Sequence, residues 1–328
     1  MSRGRIFSGM QPSGKFHLGN YLGALENWVR LQNNYDCFFS IVDLHALTSK
    51  FEDTASLPEN IHNMALDWLS AGLDPEKNVI FIQSHIKEHH ELHLLLSMMT
   101  PLSWLERVPT YKDKLQQLGA QGKDINTYGF LGYPVLMTAD IILYKADTVP
   151  VGEDQIPHLE LAREMVRRFN YLYRPVFPEP QVQLSKAPLL PGIDGRKMSK
   201  SYGNEIPYAA SPDEIRARVR LIVTDPQRIK KSDPGNPDVC TAYKFHKIFN
   251  PDQLEGIDAD CRQANIGCVD CKKRLAEQMV TNLADIHIRR SEYAANPGRV
   301  KEILFYGAER ARKVAAATME EVRQAMHL

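Results

Sequence analysis

Several features are missing from this sequence, and each absence narrows what it encodes. No run of about eighteen apolar residues occurs, so no membrane-spanning helix is expected. The opening stretch MSRGRIFSGM lacks an apolar signal core, and the expected location is the cytoplasm. Net charge is missing too, since 40 Lys and Arg balance 40 Asp and Glu. That removes a whole-molecule positive field for nucleic acid and leaves a local basic face as the route to it. Cysteine is scarce, at five residues. An odd number in a reducing compartment argues against a disulfide framework. There is no internal repeat and no low-complexity tract.

What is present is an ordinary globular composition spread over 328 residues. That is more than one hydrophobic core usually serves, so two domains are expected. In the first half, short apolar runs alternate with helical periods. RIFS at residues 5–8, CFFSIV at 37–42 and VIFIQ at 79–83 read as buried strands, and a helix over 57–71 ends at Gly72. Strand–helix–strand alternation of this kind implies a parallel sheet covered on both faces. After residue 203 the strand signals stop. Ser211-Pro-Asp-Glu214 is a capping box with proline at the first helical position. Long helical patterns follow over 269–292 and 299–313, and Thr318-Met-Glu-Glu321 is expected to cap a last short helix. The expected fold is therefore α/β: a Rossmann-like parallel-sheet domain over 1–203, then an all-helical region over 204–328. Whether the last helix packs back on the sheet domain is open at this point.

Two segments carry phosphate chemistry. SGMQPSGKFHLGNYLGAL leaves a strand and enters a helix, the corner where open parallel sheets bind ligands. Gly9, Gly14 and Gly19 allow close backbone approach, and Gln11, Ser13, His17 and Asn20 bring polar groups to the same place. Free N–H groups at a helix start favour phosphate. The turn is neither a GxGxxG dinucleotide loop nor a GxxxxGK phosphate loop, and an ordinary glycine turn fits it equally well. GRKMSKSYGN, residues 195–204, packs three cations and three hydroxyls between glycines. Its Lys197, Ser199, Lys200 and Ser201 suit a loop that closes on a polyphosphate, although most such loops are merely solvated. A third residue stands apart. Asp140 lies in VLMTADIIL, otherwise apolar but for Thr138. A carboxylate buried there needs a donor, and on the residues alone an internal salt bridge is the simpler reading.

In this order the segments resemble the class I aminoacyl-tRNA synthetases. HLGN at 17–20 is similar to that class's HIGH motif, with Asn in the last place, and KMSKS at 197–201 matches its second motif letter for letter. With LGYPVLMTADIILY and VPVGEDQIPHLEL between them, nearly the whole chain resembles the tryptophanyl-tRNA synthetase family. Tyrosyl-tRNA synthetases are the nearest alternative, and a metal-stabilised RNA-binding module without catalysis is the alternative from another class. The resemblance implies ATP, L-tryptophan and tRNA(Trp) as partners, Mg2+ with the ATP, and a homodimer. It implies Lys197, Lys200, His17 and Asn20 as the catalytic set. Around the nucleotide it places Gln11, Pro12, Ser13, Gly19, Asn20, Gly152, Glu153, Asp154, Leu190, Lys197, Met198, Ser199, Lys200 and Ser201. Asp140 becomes the acceptor for the indole N–H, with Phe7, His45 and Met137 as pocket wall. Asp154 would accept ribose hydroxyls or simply cap the following helix. Lys112 and Lys114 in PTYKDKL would lie near the site; Thr110 stands where many relatives carry Gln.

Cys240, Cys261, Cys268 and Cys271 are spaced C-x20-C-x6-C-x2-C. Four thiolates of this spacing fit Zn2+ and a [4Fe–4S] cluster equally well. A subset of bacterial tryptophanyl-tRNA synthetases carries such a set with an iron–sulfur cluster, and the resemblance therefore favours iron. Cys37 falls in a strand and reads as core. The basic stretch 216–231, with Arg216, Arg218, Arg220, Arg228, Lys230 and Lys231, would follow tRNA backbone or form a solvated helix face.

Overall fold

The computed structural model of the chain describes residues 3–109, 111, 112, 115, 125–184 and 190–328. Five strands form one sheet: β1 (Arg5–Met10), β2 (Asp36–Ile41), β3 (Val79–Ile82), β4 (Thr148–Val151) and β5 (Gln181–Leu184), in the order β3-β2-β1-β4-β5. All pairings are parallel. β1 and β2 pair along their full length, from Arg5 with Asp36 to Met10 with Ile41, whereas β1 meets β4 only through Ile6 and Thr148. The near-continuous apolar runs of the central strands suit burial on both faces. The strand order reverses between β1 and β4, so the crevice at their carboxyl ends is the natural ligand site.

The helices that frame this crevice are α1 (Asp43–Lys50), α2 (Leu57–Ala71), α3 (Glu88–Met99), α4 (Tyr133–Leu143) and α5 (Ile156–Leu172). Helix α2 ends as expected on Gly72, whose φ of 106° is the left-handed conformation that only glycine adopts without strain. Beyond the last strand lie α6 (Pro212–Arg220), α7 (Thr241–Phe249), α8 (Cys268–Ala295) and α9 (Pro297–Met326). The capping box at Ser211 and Glu214 forms as read.

The break expected before Thr318 does not occur. Helix α9 runs through it, and Thr318 is buried inside the helix. The reason is the apolar stripe Ala311, Ala315, Met319, Val322, which continues at helical spacing across the supposed cap. This stripe packs with Phe7, Phe38, Val79 and Phe81 of the sheet, so the last helix lies back on the sheet. Gly307 makes the approach possible: a Cβ there would sit 1.8 Å from the Ile80 carbonyl oxygen. On the other face, α2 and the β1–β2 pair share a core with residues on both sides of 203, including Met198, Ile206, Val219, Phe245 and Met279.

Candidate active site

The two motifs meet at the end of β1. His17 caps the turn that follows in extended backbone. Its Nδ1 accepts from the Asn20 N–H at 3.2 Å, and the Asn20 Oδ1 accepts from the His17 N–H at 3.3 Å. HLGN is thus a reciprocal cap, and the pattern of polar residues three apart follows from it. With Nδ1 accepting, the His17 proton resides on Nε2. Burial, reinforced by the charge of Lys200, holds the imidazole pKa down at about 4, so the ring is neutral near neutrality. Gly19 donates its N–H to the Met198 sulfur at 3.3 Å, tying HLGN to KMSKS. A Cβ on Gly19 would crowd the His17 ring at 3.1 Å and Met198 at 3.4 Å.

GRKMSKSYGN contains almost nothing apolar, yet it is firmly held. Met198 is buried in the core, and a buried Asn204 organises the rest. Asn204 accepts from the Ser199 N–H at 2.8 Å and donates to Asp194 Oδ1 at 2.8 Å and to the Lys197 carbonyl at 3.1 Å. Gly192 is required beside it, since a Cβ would stand 2.3 Å from the Asn204 side chain. The lysines remain on the outside. Lys197 is exposed, and Lys200 reaches across to the Ser13 carbonyl at 3.4 Å, with its pKa lowered by burial and by Lys50. For Ser201 only the backbone is described. Leu190, like Met198, is buried beneath the loop.

Beside this corner a cavity of about 220 Å3 opens between β1, β4, α1 and α4. Phe7, Gln11, His45, Met137, Asp140, Tyr133 and Gly152 are among its lining residues, so the four side chains read from the sequence as the tryptophan pocket come together. Asp140 is not a lone carboxylate. His45 Nε2 lies 2.8 Å from its Oδ2, His89 Nδ1 lies 2.7 Å from its Oδ1, and the Gln83 amide donates to both oxygens at 2.7 and 2.8 Å. Since a carboxylate only accepts, each imidazole nitrogen facing it carries the proton. The other His89 nitrogen then accepts from the Tyr144 hydroxyl at 2.7 Å. Burial pushes the Asp140 pKa up, but His89 and His45 outweigh it and hold the carboxyl well below the usual carboxylate range. Gln83, His89 and Tyr144 were not read from the sequence. No local pattern marks them: of the four histidines in SHIKEHHELH only His89 is buried.

Asp154 does not cap the next helix. It sits exposed in the short turn Glu153–Gln155, next to an exposed Glu153, and accepts from the Gln155 side chain at 2.7 Å. Pro12 is buried and Ser13 is exposed. Lys112 is exposed; Thr110 and Lys114 lie outside the described residues. The basic stretch is largely engaged within the fold. Arg216 pairs with Glu277 and Asp213, Arg218 donates to the Gly203 carbonyl, and Arg228 turns inward.

Arg228 turns toward the cysteines. Its Nη1 lies 3.9 Å from the Cys261 sulfur and 4.0 Å from that of Cys268, while Nη2 donates to the Lys231 and Ile266 carbonyls. Cys271 lies 3.2 Å from His246 Nε2. Burial, then the neighbouring Cys240, Cys261 and Cys268, pushes the Cys271 thiol up to about 12, so the four thiols do share one neighbourhood. They do not close into a cage: among the described residues no group of three or more His, Cys, Asp or Glu is arranged to hold a metal ion. Nor, among them, is any helix long and apolar enough to cross a membrane.

Comparison with known proteins gives the family. The family described as tRNA synthetases class I (W and Y) matches residues 2–284. A tryptophan–tRNA ligase of Thermotoga maritima is 51% identical over 99% of this chain and 99% of its own length, and one of Aquifex aeolicus is 42% identical over 99% and 100%. Among solved structures, a tryptophanyl-tRNA synthetase of Campylobacter jejuni complexed with ADP and tryptophan superposes with a TM-score of 0.90 at 35% identity, covering 99% of this chain and 100% of that one. The chain belongs to the bacterial tryptophanyl-tRNA synthetases of class I.

Proposed function

We propose that this tryptophan–tRNA ligase activates L-tryptophan in the cavity beside Asp140 and handles the phosphates of ATP where HLGN meets KMSKS. The supporting observation is the contact of Gly19 with Met198, which sets both motifs at the carboxyl end of β1 next to that cavity. The tryptophan carboxylate attacks the α-phosphorus and pyrophosphate leaves. A ribose hydroxyl at the tRNA terminus then attacks the adenylate carbonyl and AMP leaves. No enzyme nucleophile is needed, and the protein supplies position and charge stabilisation. Lys197 and Lys200 meet the charge that builds on the pyrophosphate. His17, neutral and protonated on Nε2, donates to a phosphate oxygen without adding charge, and Asn20 keeps its amide N–H2 for the same purpose. Mg2+ bound with ATP supplies further charge neutralisation. Asp140, kept ionised, accepts the indole N–H, a group that only donates. A site built around such a buried polar contact rejects analogues that lack the donor. Gly152, Glu153 and Asp154 face the ribose side.

The same reading extends to the helical region. It docks tRNA(Trp), with Lys230 and Lys231 among the cations that meet backbone. The protein works as a homodimer in the cytoplasm. Cys240, Cys261, Cys268 and Cys271 take a [4Fe–4S] cluster, with Zn2+ as the alternative. Four neighbouring thiols, the Arg228 guanidinium and Gly235, where a Cβ would lie 2.6 Å from the Cys261 sulfur, support a fit. A thiophilic metal would displace the thiol protons on binding. Iron and zinc analysis of anaerobically purified protein decides this: stoichiometric zinc without iron removes the cluster, and neither metal removes the site.

Amino-acid-dependent ATP–pyrophosphate exchange tests the activation step. Exchange with tryptophan alone is expected. Exchange with tyrosine instead would overturn the assignment of Asp140 to an indole, and no exchange would overturn the reading of the corner.

A further inference from the structure

We propose that Lys50, at the carboxyl end of α1, is a phosphate-binding residue of the activation step, holding the outer phosphates of ATP from the side opposite Lys200. Lys50 Nζ lies 3.2 Å from the Ser13 carbonyl oxygen, and Lys200 Nζ lies 3.4 Å from that same oxygen. Two ammonium groups therefore share one carbonyl, well within a Debye length of about 8 Å at physiological salt. Among the described residues neither forms an ion pair with a carboxylate. Glu205 and Asp67 act on Lys200 only as weaker influences, behind burial and Lys50 itself. Like charges this close are held at a cost unless an anion joins them, and a polyphosphate is the anion that this enzyme binds.

Gly14, at φ 110°, holds a backbone conformation that glycine alone adopts without strain, beside the Lys200 ammonium, which a Cβ there would meet at 3.6 Å, an ordinary contact. Helix α1 also carries His45, a wall of the tryptophan cavity. At 1.5 Å per residue their backbone positions are separated by a rise of roughly 7.5 Å along one helix. A single element thus presents one residue to each substrate, which fixes the distance between them.

This rests on the proposed reading of the KMSKS corner as the phosphate site. The test is ATP–pyrophosphate exchange by Lys50→Ala and Lys50→Arg, with pyrophosphate, ATP and tryptophan varied separately. Lys50 is exposed, so folding is expected to survive, and the melting temperature checks it. Lys50→Ala should raise the KM for pyrophosphate and ATP about tenfold with the tryptophan KM unchanged, and Lys50→Arg should restore most of it. An unchanged pyrophosphate KM in Lys50→Ala, while Lys200→Ala is impaired, overturns the role of Lys50. So does a tryptophan KM that moves in step with the others. If Lys200→Ala is also unimpaired, the reading of the corner itself falls.

Discussion

Asp140 and Lys200, both proposed to serve the activation step, sit in contrasting surroundings. Asp140 is 1% exposed and holds four hydrogen-bond contacts from three side chains, with a second rank formed by Tyr144. Lys200 stands half-buried in a loop and rests on a backbone carbonyl beside another cation. The difference suits the role proposed for each. Choosing an indole requires an acceptor whose place and charge are set before the substrate arrives. Stabilising a departing pyrophosphate requires cations that are not already neutralised, so that their interaction is strongest in the transition state. Preorganisation in one region is hydrogen-bond saturation; in the other it is charge left waiting.

If this contrast is right, breaking Asp140 should damage the fold as well as the function. Asp140→Ala leaves His45, His89 and Gln83 as buried donors facing nothing, which should cost about 3–5 kcal/mol of stability together with tryptophan binding. Chemical denaturation and tryptophan titration measure both, and normal tryptophan affinity would remove the indole assignment. Lys200→Ala should do the reverse. It should slow adenylate formation by roughly 10²–10³-fold with tryptophan affinity and melting temperature little changed; pre-steady-state adenylate formation reads it. Asn204→Ala sharpens the comparison, because it frees the loop without touching its cations. Losing its buried hydrogen bonds should cost about 1–3 kcal/mol and lower the exchange rate with both lysines intact. The smallest effect concerns His17. Its folded pKa of about 4 lies below the unfolded value of 6.5. The unfolded chain therefore binds the extra proton in that window, and stability falls as pH drops from 6.5 towards 4. Asp67, raised to about 6 by burial, works the opposite way over part of that range. The difference between wild type and His17→Asn isolates the histidine: the variant should lose less melting temperature on acidification, and parallel curves would show that the cap does not titrate this way.

How far the sequence was legible tracks the same division. β1, β2 and β3 could be read because their apolar runs are continuous, and HLGN and KMSKS because they match the motifs of a family. β4 and β5 could not. Each has four residues, as β3 does, but QVQL carries no pattern that distinguishes a strand from a loop. The Asp140 nest was visible only as one acid in an apolar run. Its partners come from 51, 57 and 95 residues away, and nothing local announces them. Thr318 misled for the opposite reason: a good local cap signal was overridden by the apolar stripe that binds α9 to the sheet.

The seating of α9 also sets an order of events during synthesis. β3 is the outer strand of the sheet, and Gly307, with Arg310 donating to the Pro75 and Asn78 carbonyls, brings the helix against its backbone. A chain made from its amino end produces β3 long before α9. Until then the β3 backbone that Gly307 approaches lacks its last cover, a template for wrong pairing, although His89 and Tyr144 already pack on Phe38 and Phe81. The nascent enzyme therefore completes an early-made layer with a helix made much later, and premature termination within α9 should yield chains that aggregate rather than chains that are merely inactive.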